Sequence, residues 1–186
     1  MRRANGALSK IRHYVPLEVL VNIYFAIFHS HVLYACQIWG LRDNTTTHRI
    51  LTLQKAALRL ITFSEPRSPS LPIFIDLGIL NFFHLVEVLN ILFVRSFLNS
   101  ELPSDTLNSQ MFSKTSHSHN TRCNTMGLLV EPSIRSQTHG SFSLRRLASL
   151  QWNKLQCKFP NCDLSNLSHR QLKLLSTKFY FSHYIN

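Results

Sequence analysis

Apolar residues recur at helical spacing along most of the chain, so the sequence predicts a mainly α protein. A short helix over 7–14 is expected to stop before Pro16, because a residue that precedes proline is biased away from the α region. Pro16 suits the first turn of a long helix that runs to about Trp39 and ends at Gly40. Its apolar residues lie almost all round, which predicts a central, buried helix.

A second helix, predicted over about 46–63, is amphipathic. Its apolar face carries Ile50, Leu53, Ala57, Leu60 and Ile61. Its opposite face carries His48, Thr52, Lys55, Arg59 and Thr62. The helix therefore has a core face and a basic polar stripe, although a solvated helix face without a ligand has the same pattern.

The rest of the chain alternates helices with turn-rich breaks. Helices are expected over about 81–99, 144–155 and 168–184, the last with Ser168 as its N-cap. The runs "GLLVEP" and "HGSFSL" have strand character and predict a small antiparallel β-hairpin between 127 and 144. The sequence thus predicts a helical domain over 1–112, a polar connecting loop over 113–127 and a C-terminal extension over 128–186 with short strands and helices.

The charge distribution points to a polyanionic partner. The chain has a net charge of +11, and two basic blocks, 1–63 at +6 and 112–160 at +6, flank a stretch over 64–111 at −3. Nucleic acid is the commonest partner of such a chain. The candidate phosphate contacts are Lys10, Arg12, Arg49, Lys55, Arg59, Arg145 and Arg146. Phe142 and Trp152 lie near the last two and are candidates for base stacking, although aromatic residues of this kind more often belong to the core.

Catalytic signatures are missing from the sequence. The nine carboxylates are scattered, and neither "DD" nor "DxD" occurs, so catalysis by two metal ions is not expected. No two of the five glycines lie within four residues of each other, so no phosphate-cradling loop is expected. The sequence predicts no enzyme, no cofactor and no small-molecule substrate.

The stretch "HSHNTRCN" at 117–124 raises the question of a metal. His117, His119 and Cys123 are acceptable zinc ligands, but a fourth ligand would have to come from a distant part of the chain. We therefore expect no metal site. The stretch is interpreted as a polar connecting segment in which His119 and Arg122 are candidates for contacting phosphate or for holding the loop in place.

No targeting signal stands out. The basic start "MRRANGALSK" is not followed by an apolar signal-peptide core, and no apolar run reaches the roughly 20 residues that a membrane span needs. Four cysteines without zinc-knuckle spacing fit a reducing compartment. A cytoplasmic or nuclear protein that is neither secreted nor bound to a membrane is expected.

Several blocks, in order, resemble the C-terminal part of reverse transcriptases from non-LTR (LINE-type) retrotransposons of the jockey-like and CR1-like group. They are "ALSKIRHYVPLEVLVNIYFAIFHSHVLYACQIWG", "ILTLQKAALRLITF", "LPIFIDLGILNFFHLVEVLNILFVRSFLNSELP", "HSHNTR" and "GSFSLRRLASLQWNKL". The first block is the most specific, and together the blocks cover nearly the whole chain. The resemblance implies a helical thumb, which holds the template–primer duplex, followed by a C-terminal extension.

The resemblance does not extend to catalytic residues, because the "YADD"-like motif of the family's palm is missing. We therefore expect a fragment of an RNA-directed DNA polymerase that lacks the palm and is inactive alone. Its expected partners are an RNA–DNA hybrid or duplex nucleic acid, and the polymerase palm. The alternative is a non-functional retroelement remnant or a small protein-interaction module with no nucleic-acid role.

Overall fold

The protein is mainly helical, as predicted. The computed structural model describes residues 1–41, 44–102, 111–115, 126–134 and 140–185. Contacts divide the chain into a first unit, residues 1–85 with 184–186, and a second unit, residues 86–183. The predicted connecting loop over 113–127 falls mostly outside the described residues, so the predicted three-part division stays a prediction.

The described helices range from 4 to 17 residues in length. The helices of the first unit are α1 (Arg2–Ile11), α2 (Leu17–Tyr24), α3 (Ser30–Leu33), α4 (Cys36–Trp39), α5 (Thr45–Ile61) and α6 (Ser70–Asp76). Helix α7 (Phe82–Leu98) begins in the first unit and continues in the second, which also holds α8 (Leu144–Lys158) and α9 (His169–Ile185).

The prediction of one long helix up to Trp39 is wrong, because the helix is interrupted before that residue. After α2 the backbone widens into a π-helix over Phe25–His29, and after α3 it turns at Ala35, whose φ is +50°. A β-carbon disfavours this left-handed conformation. The Trp39 indole N–H donates to the Tyr34 carbonyl at 2.7 Å, which satisfies a carbonyl that the break leaves without a helical partner.

The same segment is buried on one face and not all round, so the prediction of a fully buried helix is also wrong. Its buried residues recur at every fourth position and are Leu20, Tyr24, Phe28, Val32 and Cys36. Large apolar side chains on the remaining surface are exposed, namely Leu17, Val19, Phe25, Leu33, Tyr34 and Ile38. A single stripe forms because a spacing of four suits a helix that is widened by a π turn.

Helix α5 is the best-anchored element of the first unit. Asn44 caps it through a reciprocal capping box with Thr47, which satisfies N–H groups that lack partners inside the helix. Asn5 of α1 donates from Nδ2 to the Leu53 carbonyl at 3.0 Å. The face that α5 buries is shifted from the predicted one, since Gln54 and Leu58 are fully buried whereas Leu53 and Leu60 are only partly buried.

Helices α5, α6 and α7 end in the same hydrogen-bond pattern. In each, a backbone N–H donates to the carbonyl five residues earlier at 2.9 to 3.0 Å, and the residue between the cap and this N–H has a positive φ. This is the Schellman motif, in which glycine is the usual left-handed residue. The three residues at that position are Phe63, Gly78 and Ser100.

The predicted β-hairpin is not found among the described residues. Gly140–Phe142 form a 3-10 turn that leads into α8, and Leu129 makes an isolated antiparallel bridge with Lys114 instead. The outer edge of Leu129 is occupied by the Asn153 amide of α8, which accepts from its N–H at 2.8 Å and donates to its carbonyl at 3.0 Å. The amide therefore takes the place that a second strand would have filled.

The N-cap predicted for α9 is confirmed. The Ser168 hydroxyl accepts from the Gln171 N–H at 3.3 Å, and the Gln171 side chain accepts from the Ser168 N–H at 3.0 Å. Such a reciprocal pair satisfies two backbone donors at once and marks the start of the helix.

Candidate nucleic-acid interface

The basic stripe of α5 lies on the less buried side of the helix. Lys55 of this stripe is partly exposed, and Arg49, which follows the stripe residue His48 in sequence, is exposed, while the opposite side packs into the core. Within the part of the chain that the structure describes, neither side chain makes an ion pair. Two uncompensated cations on one rigid helix are suited to bind phosphate groups.

Arg59 belongs to the same stripe but is tied to the protein. Its Nε and one terminal nitrogen donate to the Ser68 carbonyl at 3.0 and 2.7 Å. This forked contact holds the turn that follows α5 against the last turn of the helix. Arg59 therefore has a structural role, and only its remaining donors are free to contact a ligand.

Arg12 follows α1 and packs on an aromatic ring. Its guanidinium carbon lies 5.2 Å from the centre of the Phe63 ring, a cation–π distance, and its Nε donates to His13 at 3.1 Å. The neighbouring Lys10 is exposed. Tertiary structure thus brings Arg12 to Arg59, because both line one cavity of about 480 Å³ in the first unit.

The second unit carries two further predicted contacts. Arg145 is exposed on α8, whereas Arg146 is partly buried and donates to the Ser141 carbonyl at 3.3 Å. Trp152 is buried at 1% exposure, so it belongs to the core and not to a stacking surface. His119 and Arg122 lie outside the described residues.

No metal-binding cluster of three or more His, Cys, Asp or Glu occurs among the described residues, and the stretch with His117, His119 and Cys123 is not among them. Cys36, Cys157 and Cys162 are free thiols. Burial raises the pKa of the Cys36 thiol, which makes it a weak nucleophile. In the same described part of the chain no helix has the length and apolarity to cross a membrane.

Two residues that sequence reasoning did not single out also belong to the cavity beside Arg12. Phe63 supplies a ring that is 53% exposed. Asn5 supplies a side-chain oxygen that is buried and has no hydrogen-bond partner. No sequence signal marks either residue, since a phenylalanine at a helix end predicts core packing and an asparagine in a first helix predicts a surface position.

Comparison with models of protein families, with curated proteins and with solved structures found no match for this chain.

Proposed function

We propose that the chain is the thumb-like and C-terminal part of a non-LTR retrotransposon RNA-directed DNA polymerase, and that it binds template–primer nucleic acid without catalysing synthesis. The sequence blocks described above carry the assignment to this class. The observation that carries the binding role is the pair of uncompensated cations, Arg49 and Lys55, on helix α5 of a chain with a net charge of +11.

A helix that is buried on one side and carries cations on its exposed surface is suited to contact the phosphate backbone rather than base edges. Helix α5 is capped at Asn44 and tied to α1 through Asn5, so the backbone positions of its two cations are fixed. Contacts of this kind position a duplex without reading its sequence. The proposed ligand is therefore an RNA–DNA hybrid or a DNA duplex of any sequence.

The binding role is tested by titrating the chain with an RNA–DNA hybrid and with duplex DNA across a salt series. Each phosphate contact contributes a log–log slope of about −0.9. The double substitution Arg49→Ala with Lys55→Ala is expected to weaken binding and to reduce the slope by about 1.8. Arg59 is left intact in this test because its substitution would also release the turn at Ser68.

The matched control is the double substitution Lys173→Ala with Lys178→Ala. Both lysines are exposed on α9, and their loss lowers the net charge by the same amount. An equal effect of the two double variants would show that only total charge matters and would contradict the assignment to α5. Absence of binding at low salt would reject the nucleic-acid role altogether.

The exposed apolar surface of the first unit supports a second proposal, a protein-interaction module. Tyr34 and Ile38 are 81% and 78% exposed, and Phe25 and Leu33 are also exposed. Exposed large apolar side chains of this kind are typical of an interface with another protein, and the polymerase palm is the partner that the sequence resemblance implies. Concentration-dependent association that Leu33→Ser with Ile38→Ser abolishes, together with no binding to nucleic acid, would favour this alternative.

A further inference from the structure

The cavity lined by Arg12, Arg59 and Phe63 has the features of a site for a single nucleotide. Its volume of about 480 Å³ lies in the range of small-molecule pockets. Helix α1, the last turn of α5 and the turn after it form its wall, so the site lies entirely within the first unit. The cavity combines an aromatic ring, two cations and an amide oxygen without a partner.

Phe63 is an unusual residue for its position. It occupies the left-handed site of a Schellman motif with a φ of +55°, where glycine is the usual residue, and more than half of it is exposed. The Ser64 N–H donates to the Arg59 carbonyl at 3.0 Å, which fixes this geometry. The fold therefore holds a large apolar ring at the surface in a conformation that a β-carbon disfavours, and packing of the core does not account for it.

The groups around the ring match the parts of a nucleotide. The Arg12 guanidinium already stacks on Phe63, and nucleobases stack on both phenyl rings and guanidinium planes. No carboxylate among the described residues pairs with Arg12 or Arg59, so both are able to bind a phosphate, although Glu65 also lines the cavity. A cavity with two cations and one carboxylate favours an anionic ligand.

Asn5 adds a polar group that lacks a partner. Its Nδ2 donates to the Leu53 carbonyl, which fixes the orientation of the amide, and its Oδ1 is buried without a hydrogen-bond partner. A buried acceptor of this kind is costly unless a donor reaches it. The Asn5 amide thus adds a polar group to the wall of the cavity.

We propose that this cavity binds one unpaired nucleotide of a nucleic acid, with the base on the surface formed by Phe63 and Arg12 and the phosphate at the two arginines. The proposal rests on the nucleic-acid binding proposed above and assigns it a nucleotide pocket distinct from the duplex contacts of Arg49 and Lys55.

The test compares three DNA hairpins, which end in a blunt terminus, in one unpaired 3′ adenosine nucleotide, or in one abasic 3′ unit. We expect the unpaired adenosine nucleotide to tighten binding about tenfold over both other hairpins, because a stacked base contributes an effect of this size. Phe63→Gly is expected to abolish this preference, since it removes the ring and inserts the residue that the backbone position favours. The preference is a ratio of affinities for one variant, so a general change in binding cancels.

Ser100→Gly is the matched control, because it makes the same exchange at the Schellman position of α7 and removes no ring. It is expected to keep the preference.

No preference in the wild-type chain, or a preference that persists in Phe63→Gly, would overturn the pocket. Loss of all hairpin binding would reject the proposed function instead, and adenosine 5′-monophosphate then tests the cavity alone. Binding of this mononucleotide in the absence of hairpin binding would assign the site to free nucleotides and overturn the nucleic-acid source, while no binding would reject the cavity as a nucleotide site.

Discussion

The Gln54 side-chain amide lies 3.1 Å from the Tyr24 hydroxyl oxygen, and both residues are fully buried in the first unit. The same amide nitrogen donates to the Leu80 carbonyl at 2.9 Å, so one side chain joins α2, α5 and the segment before α7. Burial raises the pKa of Tyr24 to about 12, while the hydrogen bond from Gln54 partly opposes this rise. The core of this unit therefore contains a buried polar contact that links three elements.

This contact predicts a loss of stability at alkaline pH. The pKa of Tyr24 is raised from 10.0 to about 12 on folding, so folding favours the neutral phenol. The contribution is fully present below pH 10.0, the unfolded value, and is lost as the pH rises through about 12. The free energy of unfolding of the wild-type chain should fall by up to about 3 kcal/mol more than that of Tyr24→Phe over this range.

Urea denaturation of both chains at several pH values from 9 upward measures the difference. The reference is pH 9, which lies about one unit below the ordinary tyrosine pKa. Burial also raises the pKa of Tyr180, with a further effect of Glu87, so a Tyr180→Phe chain controls for the second tyrosine. Parallel pH profiles for the wild-type chain and Tyr24→Phe would contradict the prediction.

Gln54→Met should destabilise the protein by about 2 kcal/mol, because methionine fills a similar volume but leaves the Leu80 carbonyl without its donor. Lys55→Met is the matched control, since it changes the neighbouring residue of the same helix, which is partly exposed. The control should change the free energy of unfolding by less than about 0.5 kcal/mol. Equal effects in thermal or urea denaturation would show that the buried amide is not important for stability.

At the left-handed Schellman positions of α6 and α7, removing a glycine and introducing one are expected to change stability in opposite directions. Gly78 has a φ of +62°, and a β-carbon added there meets no atom within 4 Å, so Gly78→Ala tests backbone strain alone. It should lower stability by about 1 kcal/mol, and Ser100→Gly, at a φ of +54°, should raise it by a similar amount. Changes of the same sign in calorimetric melting temperatures would argue against strain as the cause.

Asn153→Ala should loosen the short segment that pairs Leu129 with Lys114. The substitution removes an acceptor from the Leu129 N–H and a donor to its carbonyl, and we expect a loss of about 2 kcal/mol. Limited proteolysis should then cut near 126–134 faster than in the wild-type chain. Cys157→Ser, at an exposed position of the same helix, is the control and should leave the rate unchanged.

Sequence reasoning succeeded where the physical cause is local. The position of α5 follows from apolar periodicity, and the start of α9 follows from the predicted cap Ser168, whose side chain bonds to a backbone group three residues away. It failed between 16 and 40, where apolar residues all round suggested one buried helix. Burial depends on how many neighbouring elements cover each face, and periodicity within one segment carries no such information.

The sequence by itself determined the helical class, the amphipathic basic helix and the charge that favours a polyanion, because propensity, spacing and charge are properties of neighbouring residues. Only tertiary structure decided that Gln54 is buried beside Tyr24, that Asn153 replaces a strand next to Leu129, and that Arg12 stacks on Phe63. Each of these contacts joins residues at least 24 positions apart. Their partners are selected by three-dimensional packing, which no local pattern specifies.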